Sequence, residues 1–154
     1  MGNKVELNSP APNFSLRDIQ GNLVELKNYE GEKIVLLVFN RGFAWPFCRR
    51  HMAQLRQDYE KFQEAGVEIL VIGPDSQQAF QSYWEEHQLT FTGLPDPEHS
   101  VLKLYGQEIK LFKFGRMPAM VIVDREGTAR FVHYGHSMQD IPDNQEVLQI
   151  IQDM

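Results

Sequence analysis

The chain holds a single residue that can act as a sulfur nucleophile, Cys48. It lies in the run Phe39-Asn40-Arg41-Gly42-Phe43-Ala44-Trp45-Pro46-Phe47-Cys48-Arg49-Arg50. With no second cysteine there is no intrachain disulfide and no multi-cysteine zinc site, so dithiol chemistry would need a second molecule. A thiol reacts as the thiolate, and its free pKa of about 8.5 falls at a helix N-terminus or beside cations. Both features are within reach. Pro46 suits a helix start, where its missing donor costs nothing, and this puts Cys48 in the first turn. Arg49, Arg50 and, from further off, Arg41 or Arg116 supply positive charge. Attack of such a thiolate on a peroxide oxygen yields a sulfenic acid and water or an alcohol. The opposite reading stands beside it: Cys48 shares a helical stripe with Met52, Leu55 and Tyr59, and a cysteine buried among apolar groups is inert, with a raised pKa.

Other side chains with chemical potential give weaker signals. His51 follows Cys48 by three residues and could take the thiol proton if the groups met, but an exposed helix histidine is the expectation. His133 and His136 have no third ligand in sight, so no metal site is expected. His87 and His99 carry no signal, and no cofactor motif is present. Trp45 is expected to fill the core of its loop rather than stack on a substrate.

These residues need elements to position them. Phe14-Ser15-Leu16 and Leu23-Val24-Glu25-Leu26, joined through Gln20-Gly21-Asn22, read as a hairpin. Lys33 to Phe39 is a continuous apolar run of the kind covered on both faces, and is expected to be the central strand. From Phe47 the apolar residues Met52, Leu55, Tyr59 and Phe62 recur at helical spacing up to Gly66. Val67 to Ile72 is a second buried strand. Asp75, with Gln78 three residues on, suits a capping box for a helix that buries Phe80, Tyr83, Trp84 and His87. A short helix is expected from Glu98 to Tyr105. The basic and aromatic stretch Lys110 to Arg116 reads as a local hairpin over the sheet. Ala119 to Asp124 and Ala129 to His133 form a hairpin around Arg125-Glu126-Gly127-Thr128. Asp143, with Glu146, caps a last helix carrying Val147, Leu148 and Ile151. The order predicts an α/β domain spanning 1–154: one central mixed sheet flanked by helices, preceded by an N-terminal β-hairpin. Its function belongs at the strand ends, in the turn from Asn40 to Cys48.

That turn resembles the active-site loop of thioredoxin-fold redoxins, in particular the peroxiredoxin-like branch of the alkyl hydroperoxide reductase and thiol-specific antioxidant (AhpC/TSA) family. Three further segments match: Ser9 to Leu16, Met117-Pro118 ahead of Val121-Ile122-Val123-Asp124, and Glu126-Gly127. The resemblance implies a thioredoxin-like fold, makes Cys48 the catalytic residue, and shapes its site with Trp45, Pro46, Phe47, Arg49, Met117 and Pro118. It leaves Arg41 and Arg116 to stabilise the thiolate. It also implies a cis Met117-Pro118 bond packed near Cys48. The sequence departs from the family pattern in two ways. Trp45 stands where many relatives carry the first cysteine of a Cys-Pro-aromatic-Cys motif. Typical peroxiredoxins have a Pro where this chain has Arg41, a Thr or Ser where it has Trp45, and an Arg where it has Pro118.

The function so implied is a one-cysteine thiol peroxidase of antioxidant type, made slow by the missing Thr and Arg. It would reduce hydroperoxides with an external thiol reductant, glutathione or a thioredoxin-like protein. The alternatives are a monothiol disulfide-exchange protein and a redox-inactive thioredoxin-fold binding module. Composition narrows the partners. With 15 Lys plus Arg against 21 Asp plus Glu, the net charge of −6 disfavours a polyanion, so no nucleic acid is expected. The longest apolar run is far short of the ~20 residues of a membrane span, so no membrane partner is expected either. The first residues carry no apolar segment of signal-peptide type, which with a lone cysteine gives the expectation of a cytoplasmic location. The Lys110–Arg116 edge could pair with a second subunit in a homodimer.

Overall fold

The computed structural model describes residues 4–107, 109–110 and 115–154, with 109–110 and 115–116 as backbone alone. The chain opens on a hairpin, β1 (Ser15–Arg17) against β2 (Leu23–Glu25), in the register Ser15↔Glu25 to Arg17↔Leu23. Asp18 fixes its turn by accepting the N–H groups of Gln20 and Asn22, both at 2.9 Å. The apolar run becomes β3 (Ile34–Phe39), buried at every position. There follow α1 (Pro46–Glu64), β4 (Val67–Gly73), α2 (Gln77–His87), β5 (Thr92–Pro95) and α3 (Ser100–Leu104). The last third holds β6 (Ile109–Lys110), β7 (Gly115–Arg116), β8 (Ala119–Val123), β9 (Ala129–Tyr134) and α4 (Asn144–Gln152).

Five strands make one mixed sheet in the order β5-β4-β3-β8-β9. β3, β4 and β5 run parallel, and β8 returns antiparallel to β3 and to β9. Side-chain alternation along β3 then divides the core. Leu36 and Val38 join one cluster with Met52, Leu55 and Phe62 of α1, Phe80 and Trp84 of α2, and Val147 of α4. Val35, Leu37 and Phe39 join the other, with Phe14 and Leu26 of the N-terminal region and Leu102 and Tyr105 at α3. The sheet is thus covered on both faces, which is why its central strands read as unbroken apolar runs. Helix α2 comes close to the sheet because Gly93 has no side chain: a Cβ there would lie 2.9 Å from the Trp84 indole. Trp84 completes the contact by donating Nε1–H to the Phe91 carbonyl at 2.7 Å.

Several expectations are corrected. The cap of α2 is Ser76, whose side chain accepts the Ala79 N–H at 3.2 Å, one residue beyond Asp75. His87 is half-buried rather than buried, at the end of α2. The short helix spans only Ser100–Leu104, because Asp96 already takes up the Ser100, Val101 and Leu102 N–H groups. The edge strand β5 was not expected at all. The Met117-Pro118 bond is trans, with no cis bond among the described residues. The Pro118 carbonyl accepts the Gly135 N–H at 2.8 Å and Ala119 pairs with Tyr134, so the chain runs straight into the β8·β9 ladder and has no tight turn for a cis bond to make. Asp143 does cap α4, accepting the Glu146 N–H at 2.8 Å. The Lys110–Arg116 stretch shows backbone pairing of β6 with β7, while residues 111–114 lie outside the described residues. No described helix is long and apolar enough to cross a membrane.

Candidate active site

The loop from β3 to α1 is built outward from Asn40, whose N–H continues the parallel ladder to the Ile72 carbonyl at 3.0 Å. Gly42 then adopts φ 132, a conformation that side chains rarely adopt. This bend drives Phe43 inward. Its ring stacks on Tyr83 at 4.3 Å between centroids and meets Phe80 edge-on at 4.8 Å. Burying such a ring is worth roughly 1.5–3 kcal/mol, enough to pin the loop to α2. The Phe43 N–H donates to Asp75 Oδ2 at 2.9 Å, which accounts for Asp75 not serving as a helix cap. Trp45 is the N-cap residue of α1 without a side-chain cap bond, and Pro46 opens the helix.

Cys48 follows in the first turn and is 1% exposed. The Arg41 N–H donates to its Sγ at 3.3 Å. The Gly42 backbone and the Arg41 guanidinium also favour the thiolate, while the Asp75 carboxylate opposes it. Burial outweighs them all and pushes the thiol pKa above its ordinary value. The resting sulfur is therefore a protonated thiol, as the burial reading expected. Its pKa does not fall as the helix terminus and the arginines were expected to make it, although Arg41 and the Gly42 backbone favour the anion.

Arg41 is buried, with its guanidinium carbon 3.9 Å from the centre of the Trp45 ring. Trp45, half-buried, thus packs on this cation as well as filling the loop. Arg49 and Arg50 are exposed; Arg49 reaches the Phe43 carbonyl at 3.4 Å and lies over Tyr83, and Arg50 lies over the half-buried Phe47. The Arg116 side chain lies outside the described residues. Pro46 is exposed, whereas Met117 is fully buried. Pro118 joins Cys48 in lining a small cavity between α1 and the ends of β3, β8 and β9.

The sequence reading gave one residue of this site the wrong surroundings and missed others. His51 is 4% exposed, not a surface histidine, and lines the Cys48 cavity with Asn40. Burial lowers its pKa to about 4, so the imidazole is neutral at pH 7. The signal was its i+3 spacing from Cys48, which puts both on one helix face. Gln107 had no signal; its Nε2 donates to the Met117 carbonyl at 2.8 Å and reaches the Phe39 and Asn40 carbonyls at 3.4 Å, tying the start of the loop to Met117. Among the described residues no group of three His, Cys, Asp or Glu could hold a metal ion.

Known proteins share this arrangement of elements. The crystal structure of the reduced Plasmodium vivax 2-Cys peroxiredoxin superposes with a TM-score of 0.84 over 95% of this chain and 80% of its own, at 22% identity. That of peroxidoxin BcpB from Mycobacterium tuberculosis gives 0.82 over 97% and 99%, at 17% identity. The central sheet, its flanking helices and the N-terminal hairpin are thus a peroxiredoxin type of thioredoxin-like fold. In sequence, chloroplastic peroxiredoxin Q of Oryza sativa subsp. japonica is 31% identical over 98% of this chain and 69% of its own length. The model of the AhpC/TSA family matches residues 7–132. A match of that extent, which includes the loop that places Cys48 in the first turn of α1, means that the chain belongs to the AhpC/TSA family.

Proposed function

We propose that the protein is a one-cysteine peroxiredoxin-like antioxidant enzyme that reduces hydroperoxides through Cys48. The observation that carries this reading is the sulfur's position in an AhpC/TSA chain: first turn of α1, with the Arg41 N–H on Sγ at 3.3 Å. In the reaction Sγ attacks one peroxide oxygen, the O–O bond breaks, and the leaving oxygen departs with the thiol proton as water or alcohol. Sulfur is oxidised to the sulfenic acid and the peroxide is reduced. The Arg41 and Gly42 amides and the Arg41 guanidinium stabilise the attacking anion. Burial opposes its formation, so the enzyme is slow at neutral pH.

The chain has no resolving thiol. An external thiol, glutathione or a thioredoxin-like protein, is therefore the proposed reductant, and a homodimer in a reducing cytoplasm completes the reading. The experiment is turnover of hydrogen peroxide with each reductant, beside loss of the Cys48 thiol followed by intact mass. Stoichiometric conversion to a one-oxygen adduct, with turnover abolished in Cys48→Ser, is the expected result. A native thiol that gains no oxygen over hours would overturn it. Light scattering decides the homodimer.

A further inference from the structure

The cavity beside Cys48 is lined by His133 and Asp140, which bond each other, and by Asn40 and His51, which carry polar atoms that no protein group uses. Asn40 is 2% exposed, and neither its Nδ2 nor its Oδ1 has a hydrogen-bond partner among the described residues. The same holds for Nε2 of His51, 4% exposed. Buried polar groups are almost always paired, so unpaired side chains from two elements at one small cavity call for a reason. The cavity lies against Cys48, Asn40, His51 and Pro118, and its free space is about that of a single water molecule. His51 sits one turn after Cys48 on the same helix face, and both line this cavity.

An oxygen atom added to Sγ needs this much room and this kind of wall. Resting on the proposed peroxidase reading, we infer that the cavity is the seat of the Cys48 sulfenic acid, with Asn40 and His51 holding S–O–H in place of a resolving thiol. The sulfenic O–H donates to His51 Nε2, and Asn40 Nδ2 donates to the sulfenic oxygen. No further oxidant or reductant enters: the oxygen is the one that the hydroperoxide transferred, and the thiol proton has left with the water or alcohol. His51 and Asn40 are positioning residues here. They fix an oxidised state that waits for an external thiol.

The test oxidises the full-length protein with a slight excess of hydrogen peroxide, removes the peroxide with catalase, and follows trapping of the preformed sulfenic acid by dimedone. Because the peroxide is gone, the trapping rate does not depend on how fast the acid formed. His51→Leu is expected to be trapped about tenfold faster than the parent, the equivalent of one lost hydrogen bond. His51→Gln, which keeps a side-chain acceptor, is expected to recover most of the protection. Asn40→Ala carries the comparison should His51→Leu fail to fold. In the parent, the Nε2 nitrogen resonance of His51 should shift on oxidation. Equal trapping rates with an unmoved His51 resonance would overturn the assignment and leave the peroxidase reading intact. A parent that gains no oxygen would instead overturn the peroxidase reading, and the assignment with it.

Discussion

Arg41 contacts Cys48 through its backbone and Trp45 through its side chain: its N–H lies 3.3 Å from Sγ while its guanidinium stacks 3.9 Å above the indole. Trp45 therefore keeps a cation close to the thiol that burial would otherwise leave without one. Arg41→Met retains the backbone donor and removes the charge. It should slow peroxide oxidation of Cys48 at pH 7 by up to about tenfold, as measured by thiol loss under pseudo-first-order conditions.

Trp45→Cys places a thiol three residues before Cys48, in Cys-X-X-Cys spacing at a helix start. A sulfenic acid at Cys48 would then be attacked from within the chain, forming a disulfide and releasing water. The variant should end its reaction with one equivalent of peroxide as a species lighter by two hydrogens, where the parent gains an oxygen. Intact mass spectrometry separates the outcomes.

The pH profile of Cys48 follows from its environment. Burial raises the thiol pKa and Asp75 adds to the rise, so the thiolate is scarce at pH 7 and its reaction rate should climb with pH beyond the ordinary thiol range. Asp75→Asn keeps an oxygen to accept the Phe43 N–H while removing the negative charge. It should accelerate alkylation by iodoacetamide at pH 8 by less than about tenfold with no loss of melting temperature. Unchanged alkylation would mean that Asp75 is too well screened to matter.

His51 makes the fold sensitive to acid. Its pKa falls from an ordinary 6.5 to about 4 on burial, so the unfolded chain binds the proton more readily than the folded one. Stability from this residue is complete above pH 6.5 and is lost as pH falls towards 4, by roughly 3 kcal/mol in all. Denaturant unfolding at pH 7 and pH 4.5 should show this loss in the parent. It should be largely absent in His51→Leu, which has nothing to protonate.

Much of this architecture was legible because its signals were local and physical. The apolar run at Ile34–Phe39, the stripe from Cys48 to Phe62, the turn at Arg125–Thr128 and the cap at Asp143 each report their own burial or hydrogen bonding. What escaped depends on partners distant in sequence. Thr92–Pro95 offers one large apolar side chain between a glycine and a proline, and becomes a strand because β4 supplies its ladder. Asp75 looks like a cap until Phe43 arrives to claim its carboxylate. His51 has a polar name and a buried address, and Pro118 gave no sign that its carbonyl would enter a sheet ladder. For the site, the sequence put Cys48 in the first turn of α1 and named Arg41 and Trp45 beside it, but not the contact between those two. The burial of His51, and any role for Asn40 and Gln107, became visible only once α1, β3 and Met117 were in place.

The seating of Phe43 against α2 has an optical consequence. Its ring lies 5.6 Å from Trp84, and Trp45 is stacked on Arg41 in the same loop. Any excursion that lifts the loop to admit a large reductant must change the surroundings of both indoles, and the chain has no others. The intrinsic fluorescence of the unlabelled protein is therefore a direct gauge of loop opening, and stopped-flow emission can time that opening against the chemistry at sulfur.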